Sequence, residues 1–231
     1  MRLRHGTNII HCMQLPTLEN PRSAHSKRRV GQPTHETALT ESLIRHAPRV
    51  LSPGSGRSLV VIPEATIGRG RPDALIIVVS KASVTSYISS GLSIRTLTHA
   101  HALASTFAES SDQVYKKMNS AWTAATFQRF SIAVVDSLAV EAKIKDWKQA
   151  VRQASRFKHL TNRAAIMLPG TSIMIRAEPY LKAYDLGYID FKKDTPVWGL
   201  TANKSQLKPA NALWLLELAA RELRPKSLLQ S

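Results

Sequence analysis

In the stretch SLAVEAKIKDWKQAVRQASRF, residues 137–157, Glu141 and Lys143 stand two positions apart inside an apolar run. Alternation along a strand puts both side chains on one face. A carboxylate where a core strand would bury an apolar side chain is costly unless it is paired, hydrogen-bonded or bound to a cation. Asp73 repeats the anomaly, since it opens the hydrophobic run DALIIVVS directly after GRGRP. Only 16 residues of the chain are Asp or Glu, so acids on apolar strands carry information. Brought together, Asp73 and Glu141 offer oxygen ligands for Mg²⁺, and Lys143 offers a cation over a phosphate. Left apart, Asp73 is a cap, and Glu141 and Lys143 form a plain ion pair.

The overall charge points to the same class of partner. Against those 16 acids stand 32 Lys and Arg, giving a formal net charge of +16 and a pI of about 10.4. Such a field attracts polyanions, which makes nucleic acid the leading partner class. A basic protein that is merely soluble is the plainer alternative; a membrane-surface protein ranks lower, because no basic amphipathic helix stands out. Cys12 is the single cysteine, which rules out an intrachain disulfide and a cysteine-based zinc cluster. His99 and His101 are too close for the i, i+4 pairing of a helical metal site, and His46 and His159 have no acidic companions, so the histidines read as surface or packing residues. No run of about 18 apolar residues and no apolar leader segment occurs, so a soluble, cytoplasmic protein is expected.

The elements that must position these residues follow from periodicity. Residues 1–33, with SKRRVGQP, read as a basic N-terminal arm. Residues 34–80 read as the first part of a core: a helix across THETALTESLIRHAPRVL, capped by Thr34 and ended by Pro48, then strands SLVVIPEATIG and GRPDALIIVVS about the turn GRGR. Residues 81–131 read as a helical insert: a helix, a turn near AESS, a second helix and a strand-like TFQRF. Residues 132–231 complete the core. They supply the strand SIAVVDSLAVEAKI, a helix capped by Asp146 and running to about His159, and the strand RAAIMLP. A helix and strand follow across TSIMIRAEPYLKAYDLGYIDF, then TPVWGL and a last helix after Pro209. This order predicts an α/β fold, a mixed sheet flanked by helices. With 231 residues, 43% of them apolar, the chain can bury the core of one domain that carries an insert.

The combination GRPDALII, AVEAKIKDW and RQASRF resembles the PD-(D/E)XK nuclease superfamily over Thr34 to Leu168, interrupted by the insert. The resemblance implies a restriction-endonuclease-like core of a helix, a three-stranded antiparallel meander, a helix and a further strand. It implies Asp73 and Glu141 as ligands of Mg²⁺, with Mn²⁺ able to substitute, and Lys143 as the group that orients or activates the attacking water and stabilises charge on the phosphate. It adds Gln153 from the following helix, with Gln149 one turn earlier, and a glutamate of the first helix. Glu36 shares a face with Leu39 and Leu43 and ranks ahead of Glu41 for that place. The activity implied is that of a metal-dependent DNA endonuclease or nickase, as a monomer or a homodimer. The insert resembles a winged helix-turn-helix, in which Gln113, Lys116 and Lys117 would meet a duplex; a plain helical hairpin is the simpler alternative. The separation between Asp73 and Glu141 is longer than the family's usual one and requires the insert to return the chain to the sheet. A nuclease-like DNA-binding protein without cleavage is the runner-up. A basic protein binding RNA by charge alone leaves the buried acids unexplained.

Overall fold

The apolar runs assemble into one six-stranded sheet with the strands in sequence order. The structure, a computed structural model, describes residues 35–108, 122–192 and 194–224; the N-terminal arm and Gln113, Lys116 and Lys117 lie outside the described residues. The elements are α1 (Glu36–Val50), β1 (Arg57–Pro63), β2 (Ala74–Ser80), α2 (Lys81–Ser89), α3 (Leu97–Ala108), α4 (Ala124–Ser131) and β3 (Val134–Ala142). There follow α5 (Trp147–Ser155), β4 (Arg163–Leu168), α6 (Thr171–Tyr184), β5 (Gly187–Lys192), β6 (Thr195–Leu200) and α7 (Pro209–Leu223). β1, β2 and β3 form an antiparallel meander, β3, β4 and β5 run parallel, and β6 returns antiparallel to β5. The fold is thus α/β with a mixed sheet flanked by helices. Among the described residues no helix is long and apolar enough to cross a membrane.

Helices cover both faces of the sheet, which is why β2 reads as a continuous apolar run rather than an alternation. On one face, Leu39, Leu43 and Ala47 of α1 pack with Ile76, Val78, Val140 and Met167. On the other, Leu75, Ile77, Ala139 and Ile166 join a larger core shared with the remaining helices. That core takes in Tyr87, Leu103, Phe127 and Phe130 from α2, α3 and α4, packed with Leu213 and Leu216 of α7.

Four local expectations differ: the N-cap of α1 is His35, without a side-chain cap, Thr34 lying outside the described residues, and α5 ends at Ser155 rather than near His159. TFQRF is helical: Thr123 and Thr126 form a reciprocal capping box at the start of α4, and Phe127 and Phe130, three apart, bury one helical face. α1 does not stop at Pro48 but runs to Val50. The proline ring holds a φ that suits a helix, and near the end of the helix little beyond its own missing N–H bond is lost.

Glu217 of α7, 1% exposed, accepts hydrogen bonds from the Tyr87 hydroxyl at 2.6 Å, the Ile94 N–H at 2.9 Å and Arg221 Nε at 2.8 Å. Burial and this carboxylate push the Tyr87 hydroxyl pKa up. Both oxygens of Glu217 are occupied, so this buried acid is a structural tie between α2, the segment leading to α3, and α7.

Candidate active site

The antiparallel register Ala74↔Val140 carries Asp73 to the end of β3, one step beyond the last pair. There Asp73 Oδ2 accepts a hydrogen bond from the Ala142 N–H at 2.7 Å. The insert leaves and re-enters at the opposite end of this strand pair, where Val79 faces Val134 and the Ser80 N–H donates to Ala133 O at 2.9 Å. The separation of Asp73 and Glu141 along the chain therefore does not disturb their meeting in space. Loop closure also costs little more for a long insert, about 0.6 kcal/mol per doubling of length.

Lys143 follows β3, and its N–H donates to Met167 O at 3.0 Å, which extends the β3 and β4 ladder and fixes its backbone. Its Nζ lies 3.3 Å from Glu141, 3.8 Å from Asp73 and 3.2 Å from Glu36, and donates to Ala142 O at 3.1 Å. Glu36, at the first turn of α1, is thus the helix carboxylate that reaches the cluster, whereas Glu41 is exposed on the same helix. Three carboxylates converge on one ammonium.

Their electrostatics show a site short of positive charge. Burial, then the nearby Asp73 carboxylate, push the Glu141 pKa to about 7, against the opposing pull of Lys143. Burial also raises Asp73, although the Ala142 N–H and Lys143 favour its ionised form. Burial works against the charge of Lys143, but Asp73 and Glu141 outweigh it and hold the ammonium above its ordinary pKa. Glu141 Oε2 is buried without a hydrogen-bond partner among the described residues. Glu217, equally buried, has no such vacant oxygen; buried Asp190 has one, Oδ2, 3.1 Å from Lys192 Nζ, so it is the Asp73 carboxylate beside it that marks Glu141.

An orphaned carboxylate oxygen beside a second carboxylate fits a divalent cation. Among the described residues no group of three or more His, Cys, Asp or Glu is gathered to hold a metal ion by itself. Magnesium does not require such a cage, being held commonly by one or two carboxylates together with waters and substrate phosphates.

Gln153 stands on α5, which Asp146 caps by accepting the Gln149 N–H at 2.9 Å. Gln153 Oε1 is buried without a partner, and among the described residues no hydrogen bond joins Gln153 to Asp73, Glu141 or Lys143. Gln149 is exposed. Sequence reasoning missed Ala142, whose backbone N–H orients Asp73 and whose carbonyl receives Lys143. No side-chain pattern announces such a role; the position between Glu141 and Lys143 is its only signal.

No family model and no curated protein matches the chain. A solved structure of a protein of unknown function from Silicibacter pomeroyi is similar at 13% identity and a TM-score of 0.42, over 80% of this chain and 82% of that chain, a likeness too low to carry an argument.

Proposed function

We propose that the chain is a Mg²⁺-dependent deoxyribonuclease, an endonuclease or nickase that hydrolyses phosphodiester bonds. The observation that carries this reading is the buried, unpartnered Glu141 Oε2 beside Asp73, with Lys143 Nζ 3.3 Å from one acid and 3.8 Å from the other. The order α1, antiparallel β1, β2 and β3, then α5 and a parallel β4, supports it, being the order that the resemblance to PD-(D/E)XK nucleases implies. The net charge of +16 supports a polyanionic substrate.

Asp73 and Glu141 would hold the ion. When bound, Mg²⁺ supplies a lowered pKa for water, polarisation of the phosphate and neutralisation of the departing oxyanion. Lys143, held cationic by the acids around it, is suited to pair with a phosphate oxygen and stabilise the charge that grows in the transition state. Its raised pKa makes it a poor free base. Glu36 is a positioning residue that aims the ammonium, and the Ala142 N–H fixes the Asp73 carboxylate.

The test is a cleavage survey of supercoiled plasmid, single-stranded DNA and branched DNA with Mg²⁺ or Mn²⁺. Wild type is expected to cut at least one form, only with metal, and Asp73→Asn to lose about 100-fold or more of that rate. Full activity in Asp73→Asn would overturn the site. Metal-independent DNA binding without cleavage of any form would favour a nuclease-like DNA-binding protein instead.

A further inference from the structure

The tip of the β1 and β2 hairpin and the C-terminal end of α5 enclose an open groove of about 360 Å³, lined by Ile67, Arg69, Gly70, Arg156, Phe157 and Leu160. Its volume lies within the range of roughly 300–1,000 Å³ found for small-molecule clefts. The floor is apolar, with Ile67 and Phe157 both buried. The hairpin backbone lies directly on the end of α5: a Cβ added at Gly70 would stand 2.6 Å from the Phe157 ring, and one at Gly68 would stand 2.8 Å from Leu160. The groove therefore depends on glycine at both places.

The walls are cationic. Arg69 and Arg156 are exposed, and among the described residues neither is paired with a carboxylate, whereas neighbouring Arg71 is held by Glu64 at 2.7 Å. Arg156 also ends a stripe. Lys148, Arg152 and Arg156 follow one another at helical i, i+4 spacing along α5 and its C-cap, and all three are exposed. The stripe spans about 12 Å at 1.5 Å per residue, long enough to meet successive phosphates along one strand. α5 starts at Trp147, a few residues after Lys143, so these cations lead from the candidate centre to the groove.

We infer that the groove holds one unpaired nucleotide of a single-stranded DNA segment whose backbone follows Lys148, Arg152 and Arg156. The inference rests on the reading of the chain as a DNA-processing enzyme and narrows its substrate to DNA with a single-stranded portion beside the cut, such as a flap, branch or open end. An apolar floor accepts a base, a guanidinium can stack on that base, and the arginine charges hold its phosphates. The groove has room for one nucleotide, and a paired base must leave its stack before it can enter.

Binding by the full chain, without divalent metal, tests this separately from cleavage. The probes are a short labelled oligothymidylate and a duplex of equal length, titrated over a salt series. The double variant Arg69→Ala with Arg156→Ala is expected to weaken single-strand binding about tenfold or more. It should also flatten the plot of log K against log salt by about 1.4, two phosphate contacts at roughly 0.7 each. Duplex binding should change much less. Arg176→Ala, exposed on α6, serves as the control for loss of general positive charge and should leave both affinities unchanged. Equal losses for single strand and duplex, or an equal loss from Arg176→Ala, would overturn the groove assignment. A protein that cuts DNA but binds single strands undiminished in the double variant overturns the groove alone. The expected binding pattern without cleavage of any DNA overturns the nuclease reading alone.

Discussion

Glu141→Gln is expected to abolish metal-dependent cleavage while making the metal-free protein more stable. Burial and Asp73 raise the Glu141 pKa from 4.5 to about 7. The folded protein therefore holds this proton more tightly than the unfolded chain does. Between those two values the folded state binds more protons, so the contribution of Glu141 to stability is most favourable below pH 4.5, falls as pH rises through the window and stays lower above about 7. At about 1.4 kcal/mol per unit, the whole penalty is at most about 3.5 kcal/mol. Glutamine keeps the shape and removes the charge. The variant should gain about 1–3 kcal/mol over wild type at pH 8 in a metal-free buffer, nothing at pH 4, and have a flatter stability profile between. Urea midpoints in EDTA at these pH values check this. Cleavage should drop by about 10³ or more, because an ion ligand is gone. A variant less stable than wild type at pH 8 would show that the Glu141 carboxylate is well accommodated as it stands, and the argument from its strain would fail.

Lys143→Met is expected to act in the opposite direction on stability. It removes the ammonium that, among the described residues, faces Glu36, Asp73 and Glu141, of which Glu141 is almost fully buried. Removing one partner of a buried ion pair costs about 3–5 kcal/mol, because the other charge is left uncompensated. Here about 3 kcal/mol is expected, since Glu36 and Asp73 keep partial access to solvent. The loss should be greatest above pH 7, where Glu141 must ionise without its counter-charge, and smaller at pH 5, where protonation relieves it. Added Mn²⁺ should recover part of it by binding the folded state. Lys143→Arg, which retains a cation, should keep most of the stability. Chemical denaturation of the three proteins with and without Mn²⁺ measures each effect. Equal stability of Lys143→Met and wild type at pH 8 would mean that the ammonium contributes nothing to holding these acids together.

Much of the frame was legible because its signals are local. The apolar runs marked the strands, Asp146 marked the start of α5, and Asp73 and Glu141 stood out as acids where apolar residues belong. Their meeting was not legible, since it depends on β2 and β3 pairing across the insert, with Ser80 and Ala133 closing it at the far end. TFQRF was misread because its two phenylalanines were weighed by residue type rather than by their helical spacing. Glu217 carried a similar sign, an acid inside the apolar run LWLLELAA, but its role was hidden because its partners Tyr87 and Ile94 come from distant parts of the chain. The groove was hidden for a similar reason. GRGR reads as a turn and RQASRF as a helix end, and only their contact turns Arg69 and Arg156 into facing walls.

If Asp73 and Glu141 together form a site for a divalent cation, the folded protein binds that ion whichever DNA it cuts. Calorimetric titration of Mn²⁺ into the folded protein tests this most directly. One ion is expected per wild-type chain, with affinity at least tenfold weaker in Asp73→Asn and in Glu141→Gln, both variants remaining folded. Saturable binding that neither substitution weakens, or no binding to wild type with or without DNA present, would contradict it.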